Sequence, residues 1–185
     1  MVDETYIEFA PDVDLISSMP FVKDYHNIMI IRGVSKFFAA PGLRLGYGVT
    51  SNENFLALLK THQNPWTLNS IGAFAGELML EDTEYISVTK ELIKTERIRI
   101  YEELKKIPQL HAFYPVANFF LVKILVPDVT SYDIFDYLIR QGLMVRDCAS
   151  FTSLQGEYVR FCIMNPEDNT RLLNGFIEFF KKRQG

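Results

Sequence analysis

Residues 35–47 read Ser-Lys-Phe-Phe-Ala-Ala-Pro-Gly-Leu-Arg-Leu-Gly-Tyr. This segment follows an apolar run at 28–31, whose length and β-branched content predict a buried strand. After the Pro-Gly turn, a second apolar run begins at Arg44 and predicts a returning strand. Lys36 and Arg44 are therefore expected at one edge of a sheet, together with the hydroxyl of Ser35.

An amine, a guanidinium and a hydroxyl at one edge suit a small molecule that carries both an aldehyde and a phosphate. A lysine amine forms a Schiff base with an aldehyde, whereas arginine and serine bind a phosphate. The spacing by itself also fits, and more often accompanies, a surface lysine and a structural arginine beside a tight turn. Spacing alone therefore leaves both interpretations open.

The order of residue types in 35–47 resembles the cofactor-lysine segment of the fold-type I pyridoxal-phosphate enzymes, in the aminotransferase class I and II family. The resemblance implies that Lys36 is the catalytic residue and carries the cofactor as a Schiff base. It also implies that Ser35 and Arg44 bind the cofactor phosphate. Pyridoxal 5'-phosphate is accordingly the cofactor that this segment predicts.

An acidic and aromatic segment upstream strengthens the resemblance. Residues 3–6 read Asp-Glu-Thr-Tyr, similar to the family segment whose aspartate pairs with the pyridine nitrogen and whose tyrosine bonds the phenolic oxygen. The similarity implies cofactor-binding roles for Asp3 and Tyr6. One departure is Gly33, where many family members carry Ser or Thr, so one phosphate contact is expected to be lost.

Two arginines in the last third of the chain are candidate substrate-binding residues. Arg160 lies inside an apolar strand pattern, where a charge without an anionic partner is costly. An internal carboxylate, Glu157 or Asp147, is one candidate partner. The resemblance instead implies that Arg160 binds the substrate α-carboxylate and that Arg146 helps to bind a substrate phosphate. The Arg-Asp-Cys motif that begins at Arg146 is more similar to the threonine-phosphate decarboxylase branch than to the histidinol-phosphate branch.

The fold class that we predict is α/β. Residues 1–82 are expected to form the C-terminal part of the large pyridoxal-phosphate-binding domain, a mixed sheet with helices. A long bridging helix is predicted at 83–107, and a small α+β C-terminal domain at 108–185. Isoleucines recur every seven residues along the long helix, but charged residues occupy the second seam of a coiled coil, which favours a packed amphipathic helix.

Several other residues carry weaker signals. Trp66 follows a proline and is predicted to lie in the core or an interface. The motif Pro-Trp-x-x-Asn around it resembles one found in the histidinol-phosphate aminotransferase branch of the family. The histidines His26, His62 and His111 have no second ligand at metal spacing, and no metal site is predicted. The two cysteines give no disulfide framework.

Composition excludes several classes of function. The formal net charge is −4, which gives no electrostatic footprint for nucleic acid. No apolar run reaches membrane-spanning length, and the first residues lack the pattern of a secretory signal. We expect a cytoplasmic protein with a small-molecule substrate, and the resemblance implies a homodimer.

The resemblance covers the whole of this chain but only about the second half of a typical family member's sequence. The stacking aromatic, the glycine-containing phosphate turn and an asparagine ligand are missing, so a fragment or a truncated gene product is expected, incomplete and inactive by itself. The predicted function is that of a transaminase in amino-acid biosynthesis, similar to histidinol-phosphate aminotransferase and acting on an amino acid or amino-alcohol phosphate. The alternatives are a threonine-phosphate decarboxylase, and a non-catalytic remnant or interaction module.

Overall fold

The computed structural model describes residues 1–184. The chain divides into two compact units, Met1–Lys90 and the part that begins at Glu91. The boundary between them falls inside a single long helix. No helix in the described part of the chain is long and apolar enough to cross a membrane.

The first unit contains a three-stranded sheet in the order β1-β2-β3. The strands are β1 (Val2–Asp3), β2 (Ile30–Gly33) and β3 (Gly46–Val49). β1 runs parallel to β2, and β3 runs antiparallel to it. Both predicted strands around the lysine segment are therefore present, and the mixed sheet that we predicted is confirmed.

Three helices and three 3₁₀ turns also belong to the first unit, together with the start of the long helix. The helices are α1 (Val13–Ile16), α2 (Glu53–His62) and α3 (Ser70–Glu81), and the 3₁₀ turns are Ile7–Phe9, Met19–Phe21 and Pro41–Leu43. The side chain of Asn52 caps α2 by accepting from the Phe55 amide, and that of Asn69 caps α3 by accepting from the Gly72 amide. Asparagine is a preferred residue at the N-terminal cap of a helix, which accounts for where α2 and α3 begin.

The core of the first unit includes side chains from β2, from the lysine segment and from the first 3₁₀ turn. Ile30, Val34, Phe37 and Phe9 are all buried. An ion pair between Arg32 and Glu4, 2.8 Å long, lies beside this core, and the Glu4 side chain is only 5% exposed. The short β1 strand is therefore followed at once by a buried, paired carboxylate.

α4 (Thr83–Leu104) is the long helix that the sequence predicts, and it ends three residues earlier than expected. Ile93, Ile100 and Leu104 form its buried face within the second unit. Two charged residues of this helix, Glu96 and Arg97, are also buried. This is the packed amphipathic helix that we favoured over a coiled coil.

The second unit contains a four-stranded antiparallel sheet in the order β4-β5-β7-β6. The strands are β4 (Leu110–Phe113), β5 (Phe119–Ile124), β6 (Arg146–Asp147) and β7 (Tyr158–Cys162). The residues at 143–147 predict a strand of five residues, but β6 contains only two. It lies at the edge of the sheet and pairs with β7 alone.

Two helices accompany this sheet, α5 (Ser131–Ile139) and α6 (Pro166–Gln184). A capping box formed by Thr130 and Asp133 starts α5. The core is closely packed, and its largest fully buried side chains include Phe120, Phe176, Ile134, Leu138 and Leu172. The prediction of an α+β arrangement is confirmed for this part of the chain.

Candidate active site

The sheet of the first unit brings three candidate site residues to one edge. Because β1 and β2 are parallel, Asp3 at the end of β1 and Lys36, three residues after β2, follow the same edge. β3 is antiparallel to β2, so Arg44, two residues before β3, precedes that edge. The Lys36 Nζ lies 5.7 Å from the ring centroid of Tyr6. The edge therefore carries an amine, a carboxylate, a guanidinium and a phenol.

A backbone hydrogen bond favours the charged form of Asp3. Its Oδ1 accepts a hydrogen bond of 2.9 Å from the Thr5 amide. This backbone hydrogen bond lowers the pKa of Asp3 below its ordinary value. An ionised carboxylate is the form that pairs with a protonated ring nitrogen.

The turn that carries Lys36 is anchored by its neighbours. Phe37 is 2% exposed and packs against Phe9 with ring centroids 5.2 Å apart. The Tyr85 hydroxyl donates to the Phe37 carbonyl at 3.0 Å. Lys36 itself is exposed. Its reactive end is thus accessible while the adjoining backbone is fixed.

Arg44 occupies a left-handed backbone conformation with φ 52° at the end of the Pro41–Leu43 turn. Its Nη1 donates to the Pro41 carbonyl at 3.3 Å. The Asn69 side chain donates to the carbonyl of Leu43 at 3.2 Å. The sequence did not predict this hydrogen bond between Asn69 and Leu43, although Asn69 is the last residue of the Pro-Trp-x-x-Asn motif.

The position of Gly33 is open enough for a side chain. A Cβ added there meets the Leu45 carbonyl oxygen at 3.5 Å, which is ordinary contact. A Cβ on its cross-strand partner Gly46 meets the Arg32 carbonyl oxygen at 3.0 Å, which is tight. The space around residue 33 would thus accommodate a Ser or Thr side chain, so steric crowding does not explain why glycine stands there.

Cations near this edge fall into two groups. Arg32 is committed to Glu4 through its Nε at 3.1 Å and its Nη2 at 2.8 Å. Among residues 1–184, neither Lys36 nor Arg44 forms an ion pair with a carboxylate. The chemistry of these side chains fits the cofactor: an amine for the aldehyde, a guanidinium for the phosphate and an ionised Asp3 for the ring nitrogen.

The second unit places the two remaining candidates opposite each other. Arg146 on β6 and Arg160 on β7 are direct cross-strand partners. Like charges in such positions repel, so an anion between or beside them is favourable. Both arginines line a cavity of about 860 Å³. The Arg160 guanidinium lies 5.1 Å from the Phe119 ring centroid, and Arg146 donates to the Ser150 hydroxyl at 2.9 Å.

The internal partners that we considered for Arg160 are engaged elsewhere. The buried Ser131 hydroxyl lies 2.7 Å from Asp147 Oδ1 and 2.8 Å from Glu157 Oε2. The Ser131 amide also donates to Glu157 at 2.6 Å. Within residues 1–184, Arg160 forms no ion pair. A structural carboxylate therefore does not account for its charge.

The weaker signals have mixed outcomes. The core position expected as one alternative for Trp66 is wrong, because its side chain is 94% exposed, and its backbone has φ 59°. The interface alternative stays a prediction. The loop that carries Trp66, residues 63–69, is exposed and lies between the capped helices α2 and α3. Cys148 is buried and Cys162 exposed, and both are free thiols.

Comparisons with known proteins agree with the geometry. The sequence profile described as aminotransferase class I and II matches residues 1–176. The threonine-phosphate decarboxylase of Salmonella typhimurium is 34% identical over 173 residues, 94% of this chain and 46% of that protein. The structure of the histidinol-phosphate aminotransferase from Clostridium acetobutylicum matches with a TM-score of 0.87 at 38% identity, over 94% of this chain and 51% of that one.

A more distant structure shares the fold alone. The histidinol-phosphate aminotransferase from Sinorhizobium meliloti, solved in complex with pyridoxal-5'-phosphate, has a TM-score of 0.84 at 22% identity, over 97% of this chain and 48% of that one. The chain thus spans about half the length of each of these three proteins.

Proposed function

The chain belongs to the aminotransferase class I and II family, and from this premise we propose that it supplies the lysine-bearing half of a pyridoxal-phosphate enzyme. The observation that carries the proposal is the single sheet edge with Asp3, Lys36 and Arg44, where Lys36 lies over the Tyr6 ring. In this assignment Lys36 is the catalytic residue. Ser35 is assigned to cofactor binding because it directly precedes Lys36 in the sequence.

The chain's residues divide the work of holding the cofactor. Bound pyridoxal phosphate supplies an electron sink that weakens the bonds to the substrate Cα. Lys36 provides the amine that attaches the aldehyde, and then moves a proton at the substrate Cα as base and acid. Arg44 and Ser35 neutralise and orient the phosphate. Asp3 pairs with the ring nitrogen, and Tyr6 bonds the phenolic oxygen.

The second unit is assigned to substrate binding. The fork of Arg160 pairs with the substrate carboxylate, and Arg146 binds a second anionic group such as a phosphate. Their direct opposition across β6 and β7 and the cavity that they line support this assignment. The substrate class that fits is an amino acid or amino-alcohol phosphate.

Transamination of the histidinol-phosphate type is the reaction that we favour, with decarboxylation of a threonine-phosphate type as the alternative. The 38% identity to a histidinol-phosphate aminotransferase supports the first, and the 34% identity to a threonine-phosphate decarboxylase keeps the second open. The two reactions differ in whether a proton or the carboxylate leaves Cα. Incubation of the cofactor-loaded protein with both substrates separates them, since carbon dioxide release without amino transfer contradicts the transaminase.

A titration of the chain with pyridoxal phosphate tests the cofactor role. We expect the visible absorbance of lysine-bound cofactor at micromolar concentrations, and its loss in Lys36→Ala. Lys60→Ala, on the exposed surface of α2, is the matched control and should titrate like the unchanged chain. A chain that binds no cofactor favours the non-catalytic module instead, because about half of the related proteins' length lies outside it.

Assembly is part of the proposal. We propose a homodimer in the cytoplasm, in a pathway of amino-acid biosynthesis. Exposed apolar side chains on α3, such as Ile71 and Phe74, favour association.

A further inference from the structure

We propose that Tyr85 is a positioning residue for Lys36. Its hydroxyl and ring hold the turn that carries the lysine, so that the amine is presented to the cofactor aldehyde in one backbone conformation. The inference rests on the cofactor role proposed for Lys36. It adds a residue on α4, 48 positions away in sequence from its hydrogen-bond acceptor, to the lysine segment.

The lysine turn needs support from outside. Ala39 adopts φ 50°, a left-handed conformation that is unfavourable for a residue with a Cβ. The hydrogen bonds within the turn are long: the Phe38 amide donates to Val34 at 3.3 Å, and the Ala39 amide donates to Lys36 at 3.2 Å. A turn that is strained and weakly bonded stays in one conformation only when its surroundings hold it there.

Tyr85 supplies that support through three contacts. Its hydroxyl donates to the Phe37 carbonyl at 3.0 Å. Its ring stacks on Phe38 with centroids 5.7 Å apart and planes 18° apart. It also meets Phe37 edge-on, at 6.2 Å and 85°. Both residues that follow Lys36 are thus fixed by one side chain.

The tyrosine is itself fixed. It lies in the first turn of α4, and its amide donates to the Asp82 carboxylate at 2.9 Å. A side chain on a helix of 22 residues is a firmer support than one on a loop. Because the backbone after Lys36 is fixed in this way, most of the freedom that remains to the amine is in the lysine side chain.

A purely structural role for Tyr85 predicts something different. In that case loss of the hydroxyl loosens the whole first unit, and the lysine turn is no more affected than β2 or β3. A positioning role predicts a local change, confined to the turn and to the reactivity of Lys36. The two roles are therefore separable by residue-resolved measurements.

The test compares Tyr85→Phe with Tyr101→Phe. Phenylalanine keeps the ring that stacks on Phe38 and removes only the hydroxyl. Tyr101 lies on the same helix, in the second unit, and packs edge-on against Tyr114 at 5.0 Å, so it serves as the matched control. Amide hydrogen exchange of residues 34–49 is measured on the full chain without cofactor.

A second measurement reads the amine directly. The chain is incubated with pyridoxal phosphate and borohydride: a lysine amine condenses with the aldehyde with loss of water, and hydride from borohydride reduces the C=N bond to a stable secondary amine. Peptide mapping gives the labelling rate at Lys36 and at the exposed Lys60, which serves as the internal reference.

In Tyr85→Phe we expect about five-fold faster exchange at the Phe38 and Ala39 amides, the size of effect that one lost hydrogen bond produces. Labelling of Lys36 should slow by a similar factor, while Lys60 is unaffected. Tyr101→Phe should change neither quantity.

Unchanged exchange and labelling in Tyr85→Phe would overturn the proposal. Faster exchange across β2 and β3 as well would also overturn it, in favour of a structural role. If Lys36 of the unchanged chain is labelled no faster than Lys60, the cofactor role of Lys36 is itself wrong, and that result is visible before any Tyr85 variant is compared.

Discussion

The two compact units differ in how their helices are used. In the second unit, α5 and α6 bury side chains completely, among them Ile134, Leu138 and Phe176 at 0% exposure. In the first unit, α2 buries no residue and α3 buries only two glycines. Phe74 on α3 is 65% exposed. The helices of the second unit therefore contribute side chains to its hydrophobic core, whereas α2 and α3 present apolar side chains to solvent.

The difference shows that helix formation and helix burial are separate requirements. α2 and α3 have good asparagine caps and apolar residues at helical spacing, so they form locally. Their apolar faces gain stability only when another surface covers them. A chain that spans about half the length of its relatives is consistent with such a surface lying outside it.

The strongest test of this comparison removes one phenylalanine from each unit. Phe176→Ala leaves a cavity in a fully buried site, and we expect the free energy of unfolding to fall by about 3–5 kcal/mol. Phe74→Ala, the matched control on α3, should change it by no more than about 0.5 kcal/mol. Urea denaturation measures both. Equal losses would show that α3 is packed as closely as α6.

The second test compares Arg44 of the first unit with Arg160 of the second, two arginines that form no ion pair among the described residues. In the cofactor-loaded protein, Arg44→Ala should weaken retention of pyridoxal phosphate. Arg160→Ala should leave the cofactor spectrum intact and raise the KM for the substrate. Loss of a charge-assisted, two-pronged contact costs about 2–5 kcal/mol, roughly thirty-fold to several-thousand-fold in KM.

Lysine replacements sharpen this second test. Arg160→Lys should restore only part of the affinity, because the ammonium keeps the charge but loses the fork. If Arg160→Ala instead unfolds the second unit without a separable effect on KM, the carboxylate role must be abandoned for a structural one.

The third test addresses the exposed face of α3. Ile71 and Phe74 are 76% and 65% exposed, and contiguous apolar surface of this kind favours association. Replacing both with glutamine should weaken self-association about ten-fold, which corresponds to about 1.4 kcal/mol. Sedimentation at several concentrations measures this, with Val88→Gln on α4 as the control. An unchanged chain that is monomeric at every concentration contradicts the prediction.

The smallest expected effect separates two carboxylates, the half-buried Glu8 of the first unit and the buried Glu96 of the second. Burial raises the pKa of Glu8, whose Oε2 has no hydrogen-bond partner among the described residues. Arg99, with further help from Asn169, lowers the pKa of Glu96 against the effect of burial. These two shifts have opposite consequences for stability.

The contribution of Glu8 to the free energy of unfolding is fully present below its unfolded pKa of about 4.3. It is lost as pH rises through the higher pKa that Glu8 has in the folded chain. Glu8→Gln should therefore stabilise the chain at neutral pH and have little effect near pH 4. For Glu96, stability is present above the unfolded pKa and is lost as pH falls through the lower folded value, so Glu96→Gln should destabilise at neutral pH. Thermal unfolding at both pH values, with Glu53→Gln as an exposed control, measures the signs. A neutral-pH loss of stability in Glu8→Gln contradicts the first expectation.

The sequence by itself determined the family, the types of most secondary-structure elements and the strand ends that carry Lys36 and Arg44. Those features depend on local patterns: apolar runs, caps, and a motif of thirteen consecutive residues. Element ends were less predictable. The strand expected at 143–147 is reduced to Arg146–Asp147, because an edge strand extends only as far as its one neighbour pairs with it.

Only the tertiary structure decided which distant residues meet. No local pattern indicates that Tyr85 bonds the carbonyl next to Lys36, or that Ser131 rather than Arg160 engages both Asp147 and Glu157. The direct opposition of Arg146 and Arg160 likewise follows from the register of β6 against β7. Register and long-range contacts depend on how whole elements pack, and a shift of one residue in register changes every pair, so a single sequence read along its length does not contain them in a local form.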